Sequence, residues 1–311
     1  MRFTLRQLEY FVAAGETESI TRASERTSIS QPSISTAISQ LERELGVQLF
    51  IRHHAQGLSL TRAGRRLLRE AKALLEQAEG LYHLAGEVSG QLRGSLAVGC
   101  LVTLAPMIVP ELAHSFIAAY PESEIRPQED HQEALLERLR RAEIDVAITY
   151  DLQIPNDIAF QPLVSLPPHA LVSEDHPLAR RGEVRLGELA DEPLILLDLP
   201  MSREYFLAMF MREGLEPNIG ARSAHQEVVR TMVANGHGYS LANIRPRSDQ
   251  AMDGRRLVRL ALAGDFRPMA IGTATAARIN KMRLLSAFEA HCRACISDRH
   301  IPGMVAPGEG A

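Results

Sequence analysis

Apolar positions recur at helical spacing through the first fifty residues. Leu5, Leu8, Phe11 and Val12 mark a first amphipathic helix that the pattern ends near Gly15. A shorter one starts at Ser19, with Ile20 and Ala23 turned inward and Arg22 and Arg26 outward. The next stretch, SISQPSISTA (28–37), has the composition of a linker, yet its punctuation is that of a helix start. Ser30 suits an N-cap, and Pro32 falls in the first turn, where a missing N–H costs nothing; Gly46 supplies the stop. Between these limits Ile34, Ile38, Leu41 and Leu45 share one face, while Pro32, Ser35, Thr36, Ser39, Gln40 and Arg43 point away. From Thr61 the pattern tightens to strict 4-3 spacing through Leu67, Ala71, Leu74, Ala78, Leu81, Ala85 and Val88. That repeat predicts a coiled-coil seam on a helix roughly 40 Å long, hence a dimer.

A short helix, a tight turn and a second helix with small polar residues at its start describe a helix-turn-helix. Ser30, Ser33 and Ser35 are small enough to let the backbone approach a major groove, and Gln31 has the amide to pair with a base edge. LFIRHHAQGLSLT (49–61) reads as a β-wing turning at Gln56-Gly57, with Arg52, His53 and His54 placed for phosphate.

Beyond a hinge at GQLRG (90–94) the period changes. SLAVGC, EIRPQED and IDVAITY read as strands that alternate with helices APMIVPELAHSFIAAY and HQEALLERLRRAE, the signature of a parallel sheet with helices on its faces. HALVSE, REYFLAMFMREG, HQEVVRTMVANG and YSLAN continue the alternation, and DHQEALL (130–136) is faintly repeated by AHQEVVR (224–230). Ligands of such sheets sit at the carboxyl ends of strands and the N-termini of helices. Thr103, Tyr150 and Asn243 follow or end strands; His131 and His225 begin helices; Ser202 and Arg203 lie where a loop enters one. Helix N-termini together with Arg203 favour an anion such as a carboxylate.

Charge sharpens this division. Residues 1–69 hold ten arginines and six glutamates, with no Asp or Lys, and so carry +4 against −8 for the remainder of the 311-residue chain. A basic head on an acidic body is the asymmetry expected when one domain meets phosphate. The length allows two or three domains, and 45% apolar with 23% charged residues is ordinary globular composition. No apolar run is long enough for a membrane helix, MRFTLRQLEYFVAAGE lacks a cleavage site, and three cysteines without framework spacing suit a reducing cytoplasm.

LRQLEYFVAAGETESITRASERTSISQPSISTAISQLERELGVQLFIRHHAQGLSLTRAGRRLL resembles the winged helix-turn-helix of LysR-type transcriptional regulators. The resemblance extends over the whole chain, with SQPSIS…ISQLERELGVQLF…LTRAG its most specific run. It implies a winged helix-turn-helix (1–60), a linker helix (61–89), and a two-lobed, periplasmic-binding-protein-like α/β effector domain (90–302). Lobe I would hold about 94–162 and 268–300, and lobe II about 163–267; GMVAPGEGA (303–311) reads as a disordered tail. By resemblance Gln31, Pro32, Ser35 and Thr36 face the groove and Arg52 and His53 the wing, with Thr36 where the family often has arginine and Thr27 where a core leucine is usual. Inducer contacts map onto Thr103, onto His131, where Ser or Thr is commoner, and onto the loop Pro200–Arg203. Implied partners are promoter DNA, a second copy in a homodimer or homotetramer, RNA polymerase, and a small-molecule co-inducer in place of any cofactor.

Enzymatic readings find little support. Neither Lys72 nor Lys281 follows a glycine as a P-loop requires, and neither a zinc-protease His pair nor a Gly-x-Ser-x-Gly elbow occurs. Cys292 and Cys295 in HCRAC have metal spacing but no second ligand pair; His176 before Pro177 reads as a turn. The family's peroxide-sensing branch needs cysteines in its second lobe, where this chain has none. The expectation is a cytoplasmic, non-enzymatic regulator sensing a small anionic metabolite. The alternatives are a regulator without an inducer and a solute-binding α/β protein with an appended helix-turn-helix.

Overall fold

The computed structural model describes residues 3–27, 29–53, 57–89, 92–277 and 282–310, which form two compact units divided between Gln91 and Leu92. In the first, α1 (Leu5–Thr17) opens with a capping box. The Thr4 hydroxyl accepts from the Gln7 N–H at 3.2 Å, and the Gln7 carbonyl oxygen accepts from the Thr4 N–H at 2.8 Å. The helix ends near Gly15 as expected, though not at it. It ends two residues on at Thr17, with the C-cap Glu18 at φ +49°. Gly15 is buried because a methyl there would come within 2.9 Å of Leu68 on the long helix α4 (Arg62–Ser89), so close packing explains the glycine, not helix termination.

Helix α2 (Ile20–Thr27) buries Ala23 completely, and the Thr27 hydroxyl donates to the Ala23 carbonyl at 2.8 Å. A threonine is thereby accommodated where leucine is usual. Helix α3 (Gln31–Leu45) presses Ile34, Ile38 and Leu41 into the core with Phe11 and Leu49, then stops at Gly46 with φ +67°. Ser30 occupies the N-cap position without capping: its hydroxyl lies 2.8 Å from that of Ser33. Strands β1 (Phe50–His53) and β2 (Gly57–Leu60) pair antiparallel as the wing, Phe50 opposite Leu60. The Glu42 carboxylate accepts the Leu49 N–H at 2.7 Å and so ties α3 to the wing.

Helix α4 divides its seam. Leu67 packs on the head core and Ala71 is buried in it, so these two positions serve the head within the chain itself. Leu74 is 45% exposed and Ala78 partly so. The side chains of Leu81, Ala85 and Val88 lie outside the described residues, as do those of Arg52 and His53, the wing turn at His54–Gln56, and Gly90 and Gln91 of the hinge.

The second unit has two lobes. In lobe I the strands are β3 (Gly94–Leu101), β4 (Ser123–Asp130), β5 (Val146–Tyr150), β6 (Ile158–Leu166) and β13 (Met269–Ala276). Their order is β4-β3-β5-β13-β6, covered by α5 (Ala105–Ala119), α6 (Gln132–Arg140) and α9 (Arg283–Cys295). Strands β3, β4 and β5 are parallel, but β13 is antiparallel to both β5 and β6, so the sheet is mixed rather than wholly parallel. The reason is topological: β6 leads out of the lobe and β13 is the return strand, which must run the other way.

Lobe II has β7 (His169–Ser173), β8 (Glu183–Arg185), β11 (Ser240–Ala242) and β12 (Leu257–Ala263) in the order β11-β7-β12-β8. Beside these lie the parallel pair β9 (Leu194–Leu197) and β10 (Ile219–Ser223), with α7 (Ser202–Arg212) and α8 (Gln226–Ala234). The tail departs from expectation. Ile301, Met304 and Ala306 are buried, and the Val305 N–H donates to the Arg245 carbonyl at 2.8 Å. Three apolar side chains seated in the core hold 303–308 in place despite their Gly/Pro-rich composition.

Candidate functional site

On α3 the buried stripe Ile34–Ile38–Leu41 fixes which side chains face solvent. Ser30, Gln31, Pro32, Ser33, Thr36 and Gln40 are exposed and Ser35 half-buried, and Arg22 of α2 in the same unit is exposed too. Gln40 is partly engaged, its carbonyl oxygen accepting from the Gln7 amide at 3.2 Å. Small side chains around Pro32 leave the first turn of the helix bare, and the Gln31 side chain is exposed beside them.

In the second unit the strand ends of both lobes line a cavity that is partly open to solvent. Four of the eight residues chosen from sequence line it: Thr103 after β3, Tyr150 at the end of β5, Ser202 at the start of α7 and Asn243 after β11. Burial pushes the Tyr150 phenol well above its usual range, so it stays protonated beside its hydrogen-bond partner Thr103. Ser202 enters through Met201, whose φ of +66° stores strain of about 1–3 kcal/mol in the approaching turn.

The other four are placed elsewhere. His131 caps α6, its Nδ1 accepting from the Ala134 N–H at 3.3 Å. Arg203, expected to favour an anion, is consumed by its neighbours: Asp198 and Glu204 each lie 2.6 Å from its guanidinium, outside the cavity wall. Pro200 precedes that turn without lining the cavity. His225 lines a separate hollow with Val102, Pro246 and two residues shared with the cavity, Thr103 and Gln226.

Sequence reasoning missed His169, Phe206, Gln226 and Arg230 on the lobe II side of the cavity and Met269 on the lobe I side. His169 opens a strand buried along its whole length and looks like an ordinary core position. Burial, then Arg245 and Arg259, push its imidazole down to about 3, so it is neutral at physiological pH. Arg230 carried a readable signal: an arginine on the buried face of α8, between Val229 and Val233. Such a position asks for a purpose. Its Nη2 donates to the carbonyls of Ser248 (3.2 Å) and Gln250 (2.9 Å). Among the described residues no group of three His, Cys, Asp or Glu side chains could hold a metal ion, and no helix is long and apolar enough to cross a membrane.

The comparisons agree with this architecture unit by unit. Residues 5–65 match the family model of the bacterial regulatory helix-turn-helix protein, lysR family, and residues 89–295 match the LysR substrate binding domain. The uncharacterized HTH-type transcriptional regulator YybE of Bacillus subtilis is 33% identical, covering 76% of this chain and 80% of its own. The DNA-binding transcriptional dual regulator OxyR of Escherichia coli is 30% identical, over 76% and 78%. Among solved structures, HinK, a LysR family transcriptional regulator from Pseudomonas aeruginosa, is 38% identical with a TM-score of 0.64, covering 95% of this chain and 99% of its own.

Proposed function

The chain belongs to the LysR family of DNA-binding transcriptional regulators, whose members bind promoter DNA and form oligomers, and from that premise we propose that it senses a small anionic metabolite in the cavity between its lobes. The observation that carries this reading is the cavity itself, where buried polar groups from both lobes converge on one apolar space. Occupancy closes the lobes, changes how protomers pack, and alters the spacing or tilt of the DNA-reading heads. A ligand achieves this only through its differential affinity for the two arrangements.

Gln31, Pro32, Ser35 and Thr36 enter the major groove, with Arg22 and the wing residues Arg52 and His53 on phosphate. The protomers join through the outer part of α4, from Leu74 onward, into a homodimer that pairs into a homotetramer and contacts RNA polymerase in the cytoplasm. The effector is a co-inducer, no cofactor is required, and the protein turns over no substrate. Peroxide, suggested by relatives named hydrogen peroxide-inducible genes activators, fits this chain poorly. All three cysteines belong to lobe I, and burial pushes the Cys100 and Cys292 thiols far above the range in which they ionise. A thermal-shift screen of the full-length protein against small carboxylates and amino acids tests the reading. Stabilisation by a carboxylate supports it, and none across the library counts against it.

A further inference from the structure

HCRAC, at the end of α9, carries the spacing of a two-cysteine metal motif, and the fold sorts its members differently from that spacing. Cys292 is fully buried in the lobe I core, whereas Cys295 is half-buried at the last position of the helix. The partner of Cys295 is His291. Four residues apart on α9, the two share one side of the helix, and Sγ lies 3.5 Å from Nε2. An edge contact with Phe116 of α5, ring centroids 5.4 Å apart, holds the imidazole in that orientation. The Ser115 hydroxyl lies 2.8 Å from the same Nε2. None of these side chains lines the cavity between the lobes.

A thiolate and an imidazole nitrogen bind a zinc-class cation at about 2.3 Å and 2.0–2.1 Å, so tetrahedral geometry sets them about 3.5 Å apart. His291 and Cys295 already stand at that separation. Left to themselves they are poorly matched, because Nε2 offers one lone pair or one N–H and has two neighbours, the hydroxyl and the thiol. A cation uses both Nε2 and Sγ, and the Ser115 hydroxyl then keeps the Leu112 carbonyl, 3.1 Å away. The surroundings suit positive charge. Glu111, one turn before Ser115 on α5, acts electrostatically on the Cys295 thiol, and its carboxylate lies 3.3 Å from His300. Among the described residues no third donor completes a closed site, so water fills the remaining positions.

We propose that His291 Nε2 and the Cys295 thiolate hold a borderline divalent cation of the zinc class between α5 and α9 of lobe I, with Glu111 supplying negative charge beside it. Binding replaces the thiol proton by the cation and releases that proton to solvent. Cys292 takes no part, despite its spacing.

The test is titration of the metal-free, full-length protein with Co2+, whose thiolate charge-transfer band in the near ultraviolet reports a cobalt–sulfur bond. The band should saturate at one cation per chain and be displaced by Zn2+. With half the donors of a structural zinc site, Kd should fall at about 1–100 μM. Cys295→Ser should abolish the band and Cys292→Ala should keep it. His291→Gln should weaken binding about tenfold or more. Glu111→Gln should weaken it about threefold or more and leave the band's position unchanged. On the unaltered protein, Zn2+ should slow alkylation of Cys295 by iodoacetamide, read by mass spectrometry, so the outcome does not depend on any variant folding. No band at roughly 1 mM Co2+, well above the expected range, would overturn the proposal. So would a band that survives Cys295→Ser, a band lost in a folded Cys292→Ala protein, or alkylation indifferent to Zn2+.

Discussion

Two substitutions on the same helix should separate reading DNA from holding the head together. Ile38 is almost fully buried under α3, so Ile38→Ala leaves a cavity in the head core. Truncations of this kind cost about 2–5 kcal/mol. Gln31 is the first residue of α3 and exposed, and Gln31→Ala should change stability by no more than about 0.5 kcal/mol. Its cost should appear on DNA, because a side-chain amide paired to a base edge is worth about 1–3 kcal/mol of discrimination, roughly 5- to 150-fold in preference for the correct site. Glutamine carries no charge, so the salt dependence of binding should stay unchanged. Hydrogen exchange across α3 in the full-length protein reads the first effect. Anisotropy titrations with promoter and random duplexes at several salt concentrations read the second. Faster exchange in Gln31→Ala, or equal loss on both duplexes, would refute the assignment of the exposed face to base reading.

Three further outcomes follow from side chains already placed. His169 has its pKa lowered to about 3, so between pH 6.5 and about 3 the unfolded chain binds a proton that the native state refuses. Its contribution to stability is therefore full above pH 6.5 and falls as the pH drops, by at most roughly 1.4 kcal/mol per unit. Urea denaturation at pH 7 and pH 5 should show a smaller loss in His169→Phe than in the native protein; equal losses would mean the imidazole protonates in place. Met304→Ala should destabilise the second unit by about 2–5 kcal/mol, because Met304 is buried; a thermal midpoint unchanged by the substitution would restore the disordered tail. Arg203→Ala should leave ligand preference between acids and amides intact, since Asp198 and Glu204 already occupy its guanidinium; loss of acid preference in calorimetry would return Arg203 to the site.

What was legible in the sequence was whatever local chemistry decides. Ser30-Pro32 at one end and Gly46 at the other bracket α3, and the spacing of Ile34, Ile38 and Leu41 orients it without tertiary information. A glycine in a helix pattern reads as a stop, and α1 does end near Gly15, while the cause of the glycine is the approach of Leu68 from more than fifty residues away. The same holds for Leu67 and Ala71: their heptad spacing is real, but the head claims them first. In the cavity, strand-end and helix-start positions exposed Thr103, Tyr150, Ser202 and Asn243, since sheet topology aims those positions. His169 and Arg230 escaped because they sit inside elements, where burial is decided by what packs across from them. The tail escaped because Ile301 and Met304 have no period of their own and are buried by segments distant in sequence.

In the mechanism proposed above, occupancy of the lobe cavity changes the way the heads hold DNA. Its most direct test is a footprint of the full-length protein on the intergenic region upstream of its own gene, with and without a ligand that stabilises the protein, in parallel with Asn243→Leu. The native protein should give a two-fold pattern of protection whose length or internal spacing shifts with ligand, and the variant should show no such shift. A footprint that is the same with the cavity filled and empty would contradict it.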